Sequence, residues 1–139
     1  MKKIYLPVLA LFIFAGCSKD FLKRYDDRVE GSWYISQINR FGIGGDFSDL
    51  AFREGSFTFK GDGSLTYTDD LGNVSSGTWD IQKRNLNNDV VRTLQITTVD
   101  FNTQLVRSEF YDDMNFRGTN HFVATINTPF RSFITHFRR

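Results

Sequence analysis

The chain has one cysteine, Cys17, and two prolines, Pro7 and Pro129, among its 139 residues. One cysteine excludes an internal disulfide and paired-cysteine metal sites, so a folded domain must rest on its packed core. Two prolines exclude a polyproline spacer. Neither sign of charge dominates: the formal net charge is +1. No sustained basic stretch supplies the electrostatic footprint that nucleic-acid binding needs. No apolar run is long enough to cross a bilayer as a helix. The run from Ile4 to Ala15 covers roughly 18 Å against a hydrocarbon core of about 30 Å, and Pro7 interrupts it.

That run does fit a leader. Met1-Lys2-Lys3 precedes it, Ala15 and Gly16 end it with small residues, and Cys17 follows. Two lysines, a short apolar core and small residues before a cysteine read as a secretory signal over 1–16, cleaved between Gly16 and Cys17, with lipid attached to Cys17. A non-lipidated signal is the rival reading. Phe14-Ala15-Gly16-Cys17 resembles the lipobox of bacterial lipoproteins, with Phe14 where that family usually carries leucine. The resemblance implies a domain lipid-anchored in the cell envelope, at the outer membrane, facing either the periplasm or the exterior. Ser18-Lys19-Asp20 is similar to the short acid-containing stretch of surface-exported lipoproteins of Bacteroidota-type bacteria.

Without residues 1–16 about 120 residues remain, enough for one domain. Residues 17–30 read as the lipidated cysteine and a charged tether, or as a tether ending in one helical turn with Phe21, Leu22 and Tyr25 inward. From Gly31 to Arg139 the chain is rich in residues that suit strands, the whole sequence holding 15 Phe, 5 Tyr and 2 Trp. Strands are expected at 32–38, 55–60, 64–69, 74–82, 90–99, 104–112, 119–127 and 130–138, punctuated by Gly, Asn, Asp and Pro. Eight short strands without helical periodicity predict an all-β fold, an eight-stranded up-and-down antiparallel barrel.

Side-chain parity fixes the first hairpin register. Phe57 and Phe59 share a face, as do Leu65 and Tyr67. A three-residue loop, Gly61-Asp62-Gly63, sets Phe59 opposite Leu65 and Phe57 opposite Tyr67, with Gly63 left-handed. In the next hairpin a loop from Asp70 to Val74 would place Tyr67 over Gly77 and Leu65 beside Trp79. Strand 104–112 is ambiguous, because Leu105 and Tyr111 are out of phase with Val106 and Phe110.

Gly31-Ser32-Trp33 resembles the G-x-W motif of the lipocalin fold. Gly55-Ser56-Phe57-Thr58-Phe59 through Gly77-Thr78-Trp79-Asp80-Ile81 is similar to the small lipocalin-like lipoproteins of Bacteroidota-type bacteria. This resemblance implies a tryptophan closing one barrel end and a small apolar or amphipathic ligand at the other. The lipocalin T-D-Y turn is missing, and a C-terminal flanking helix is not expected. The family often stacks a late arginine on the first tryptophan; Arg138 or Arg139 is placed to do so, although solvated arginines are the plainer expectation.

Chemistry-bearing groups are few. His121 and His136 fall on one face of the last hairpin, directly opposed with a two-residue loop or diagonal with a four-residue one. With Glu109 they would make a weak metal candidate, but that face is expected to be solvent-exposed. Phe41-Gly42-Ile43-Gly44-Gly45-Asp46-Phe47 lacks the spacing of a phosphate loop. It reads either as a flap dipping Phe41, Ile43 and Phe47 into the barrel mouth or as an ordinary surface loop. Asp26-Asp27, Asp69-Asp70 and Asp112-Asp113 are turn-type carboxylate pairs. No nucleophile or general-base constellation is visible, so neither enzyme activity nor a cofactor is expected. The expected ligand-binding set is Trp33, Phe41, Ile43, Phe47, Phe57, Tyr67 and Trp79. Two functions are expected to compete: a lipid-anchored binder of a small apolar ligand, and an envelope interaction module touching protein or glycan through its loops. Inward aromatics numerous enough to fill an eight-stranded interior narrow the first.

Overall fold

Alternating apolar positions and glycine punctuation drive the chain into strand after strand. The computed structural model describes residues 24–139; the signal over 1–16, the Gly16–Cys17 cleavage point, lipid on Cys17 and inward Phe21 and Leu22 lie outside the described residues. A five-residue helix, α1 (Tyr25–Val29), leads into nine strands. These are β1 (Gly31–Gly42), β2 (Ser56–Phe59), β3 (Ser64–Thr68), β4 (Val74–Leu86) and β5 (Asp89–Asp100). They continue as β6 (Leu105–Tyr111), β7 (Asp113–Phe116), β8 (His121–Asn127) and β9 (Arg131–Arg138). Every pairing is antiparallel, in one sheet of order β6-β5-β4-β3-β2-β1-β9-β8-β7.

Nine strands replace the expected eight, and the ladder is not closed into a barrel: β6 and β7 are its two edges. The extra strand arises at Asp112. Up to Tyr111 the chain pairs with β5; at Asp112 the backbone N–H turns to the Thr125 carbonyl (2.8 Å) and the carboxylate accepts from the Asn127 N–H (2.6 Å). One residue therefore carries the chain from one edge of the sheet to the other. The phase ambiguity is settled too, since Tyr111 is buried and Val106 and Phe110 face outward.

The β2–β3 register matches the parity argument: Phe59 opposes Leu65, Phe57 opposes Tyr67, and Gly63 has φ +83°. The β3–β4 register differs by two residues. Tyr67 opposes Ser75 and Leu65 opposes Gly77, because Asp69 closes the turn early, accepting from the N–H groups of Leu71 (3.0 Å) and Asn73 (2.8 Å). Gly77 is instead required by β5: a Cβ there would sit 1.9 Å from the Thr97 carbonyl oxygen.

The inward face is an aromatic lattice. Phe57 packs on Tyr67 (4.8 Å), Phe137 (5.7 Å) and Phe59, while Phe122 stacks on Phe137 at 4.5 Å. Trp33 meets Phe122 edge-on at 4.7 Å, and Phe59 meets Trp79 at 5.4 Å. Such pairs contribute about 1 kcal/mol each beyond area burial. Residues 25–29 are not plain tether: Val29 is fully buried and Tyr25 packs edge-on to Phe116 at 5.2 Å. Alternating connections put α1, the β2–β3 turn, the β4–β5 turn and the end of β9 together, at the α1 end. The loops 43–55, 69–73, 101–104 and 128–130 crowd the other.

Candidate functional site

The loop end is plugged by residues the sequence did not single out. Between β1 and β2, a 3-10 turn (Phe47–Asp49) precedes Leu50-Ala51-Phe52, and Leu50 and Phe52 are buried. Phe52 inserts edge-on between Phe57 (5.3 Å) and Tyr67 (5.0 Å). Two polar contacts hold this plug down. Glu109 accepts from the Ala51 N–H at 2.6 Å, and the Tyr67 hydroxyl donates to the Glu54 carbonyl at 2.9 Å. Burial raises the Glu109 pKa above the usual glutamate value, against the opposing pull of the Ala51 and Phe52 N–H groups. Burial likewise raises the Tyr67 phenol, with Arg107 pulling the other way. Beside the plug lies a cavity of about 210 Å³, lined in part by Arg53, Tyr67, Leu71 and Arg107.

The expected flap takes another form. A bulge between Ile35 and Gln37 inverts side-chain parity, so Arg40 sits opposite Phe133 on the inward side and Phe41 points out. Ile43 donates its N–H to the Phe130 carbonyl (3.1 Å), which continues the β1–β9 edge, and its side chain is exposed. Arg131 pins the turn through Asp49 (2.7 Å) and the Gly44 carbonyl (3.3 Å), and Arg40 donates to the Gly45 carbonyl. Phe41 and Ile43 therefore do not dip inward. Phe47 alone leans in, 6.0 Å from Phe133. Trp33, Phe57, Tyr67 and Trp79 are buried together in the core, not displayed at a mouth. The only local mark of the plug is Leu50-Ala51-Phe52, three consecutive apolar residues in a connection where Ile43 and Phe47 stand singly.

His121 and His136 are brought together diagonally, across a loop of four residues between Asn127 and Ser132. Their rings stack at 5.3 Å, with His121 Nε2 3.1 Å from His136 Nδ1 and Asn39 Nδ2 3.1 Å from His136 Nε2. Glu109 is committed to the plug and does not join them. Among the described residues no group of three or more His, Cys, Asp or Glu is placed to hold a metal ion.

At the α1 end, Trp33 is buried with its Nε1 donating to the Val29 carbonyl at 2.7 Å, and Arg139 covers its face at 4.1 Å. The expectation of a solvated terminal arginine fails here. Among the described residues no helix is long and apolar enough to cross a membrane. Comparison of the chain with protein-family models, curated proteins and solved structures gave no match.

Proposed function

We propose that this chain is a lipid-anchored, non-enzymatic protein of the cell envelope, held at the outer membrane by Cys17, that contacts a protein or glycan through its loop end. The carrying observation is the display of large apolar side chains there. Ile43, Leu71, Phe101 and Phe130 are 86, 89, 77 and 79 % exposed, one in each of the four loops at the end opposite α1. Single exposed apolar residues are ordinary, but four at one end form a contact surface. On this reading the curled sheet acts as a filled, lipocalin-like barrel. The Asp112 crossover between its edges and the Arg139–Trp33 stack support that architecture.

The second reading, a small apolar or amphipathic ligand at the mouth, is favoured by the cavity of about 210 Å³ beside the plug. A photo-crosslinking residue placed at Leu71 or Phe101 in living cells decides between them. The loop reading expects a discrete macromolecular adduct at those positions, absent at Leu86 on the α1 end and lost in Ile43→Ser/Phe130→Ser. A stoichiometric small molecule extracted from gently purified protein, with no loop adduct, would overturn it in favour of the second. Cys17→Ser tests the anchor: it should move the protein from the membrane to the soluble fraction.

A further inference from the structure

The β4–β5 ribbon extends past its neighbours at the α1 end: β3 pairs only as far as Thr78, and β6 only as far as Leu94. α1 stands beside this ribbon, and between them lies a cavity of about 550 Å³ lined by Arg24, Tyr25, Arg28, Ile81, Lys83 and Arg92, with Asp26 at its side. Four cations face it. Their one carboxylate partner among the described residues is Asp26, bound to Arg24 at 3.1 Å. Arg92 and Arg28 are drawn in by aromatic faces instead of carboxylates: Arg92 lies 3.8 Å over Tyr25, and Arg28 3.8 Å over Phe116 and 5.7 Å from Tyr25. Arg28 also donates to the Gly118 carbonyl at 3.3 Å, whereas the Lys83 ammonium makes no hydrogen bond or ion pair to any described residue.

Two cations on the Tyr25 ring, two more beside them and a single carboxylate leave a surplus of positive charge that a bound anion offsets. Arginine forks match phosphate oxygens, and a lysine adds a mobile point charge. Chain length says which phosphate is at hand. Arg24 follows Cys17 at a distance of seven positions, a reach of roughly 25 Å at most. We infer that this cationic cavity docks the phosphate headgroup of an anionic phospholipid in the membrane that carries the anchor, so that α1 and the ribbon rest on the lipid surface. The inference depends on the anchor part of the proposed function and leaves the loop end facing away from the membrane. Basic groups near an anionic surface are attracted to it, an attraction that falls off within a Debye length.

Native mass spectrometry of the full chain, purified from bacterial membranes in an uncharged detergent, tests this directly. Phosphatidylglycerol should be retained at least several-fold more than phosphatidylcholine. Arg24→Glu/Lys83→Glu should abolish the difference; both side chains are exposed, so the fold tolerates the change, and unchanged thermal unfolding checks that. Equal retention of the two lipids, or an unaltered preference in the double variant, would overturn the assignment. So would saturable binding of inorganic phosphate with no preference between the lipids, which would make the cavity a free-anion site. The same spectrum reports whether Cys17 carries acyl mass, so failure of the anchor is read separately from failure of the cavity.

Discussion

Arg139 lays its guanidinium 4.1 Å from the centre of the Trp33 ring and donates to the Arg28 carbonyl at 2.6 Å. Trp33 in turn donates to the Val29 carbonyl at 2.7 Å. Arg139, the first strand and α1 are therefore locked to one another around a buried indole.

Truncating that residue should be costly in a way its neighbour's truncation is not. Arg139→Ala should lower unfolding stability by about 1 kcal/mol, from the lost cation–π contact and hydrogen bond. Arg138→Ala, whose side chain is exposed, should stay within about 0.5 kcal/mol. Urea unfolding followed by tryptophan fluorescence reads both, and equal effects for the two would contradict the lock.

Phe52 should be the strongest point of the plug. Phe52→Ala removes a ring buried between Phe57 and Tyr67 and should cost about 3 kcal/mol. Phe47→Ala, from a partly exposed site, should cost about 1 kcal/mol. Only Phe52→Ala should also raise the fluorescence of an apolar dye, by opening the interior at the loop end. Similar losses in both variants, with no dye binding, would show that the connection is merely draped over the sheet.

What the sequence discloses depends on whether a local rule acts alone. Gly63 and the parity of Phe57, Phe59, Leu65 and Tyr67 admit one hairpin, and it is the one that forms. At the next turn two five-residue loops preserve parity, so the choice falls to Asp69, whose carboxylate captures two backbone N–H groups. Parity fails outright where a bulge intervenes: Ser36 is an extra residue in β1, and it turns Phe41 outward. The change of partner at Asp112 depends on Thr125 and Asn127, residues distant in sequence, and no local pattern marks it. The core aromatics were legible because burial follows alternation; the plug was not, because connections carry no period.

Glu109 should make stability fall as pH rises. Its folded pKa lies above its unfolded value of about 4.3, so the folded state holds the proton more tightly. Stability is then lost between the unfolded and folded values, and level above them. Asp46, Asp62, Asp69 and Asp100 act in the opposite sense and lower on the pH scale, since hydrogen bonds depress them and their contribution is lost as pH falls. Glu109→Gln keeps an acceptor for the Ala51 N–H and removes the titration. The stability of the variant relative to the parent should rise from pH 4 to 7; a flat difference would show that Glu109 is solvated.

His121 should act with the opposite sign. Asn39 Nδ2 donates to His136 Nε2, which places the His136 proton on Nδ1 and makes His121 Nε2 the acceptor. Protonating His121 would set two donors face to face. Its pKa is lowered first by burial, then by the Arg138 charge, with Arg117 adding to it. The folded state thus binds this proton less readily than the unfolded chain, for which about 6.5 is usual. Stability is fully present above that value and is lost as pH falls through the window down to the folded pKa. His121→Gln should flatten this part of the profile between pH 7 and 5. In the parent, an NMR titration should show His121 protonating below the usual histidine value, and closer to it at high salt as the arginine charges are screened. A His121 midpoint at or above the ordinary value would mean that the rings separate in solution.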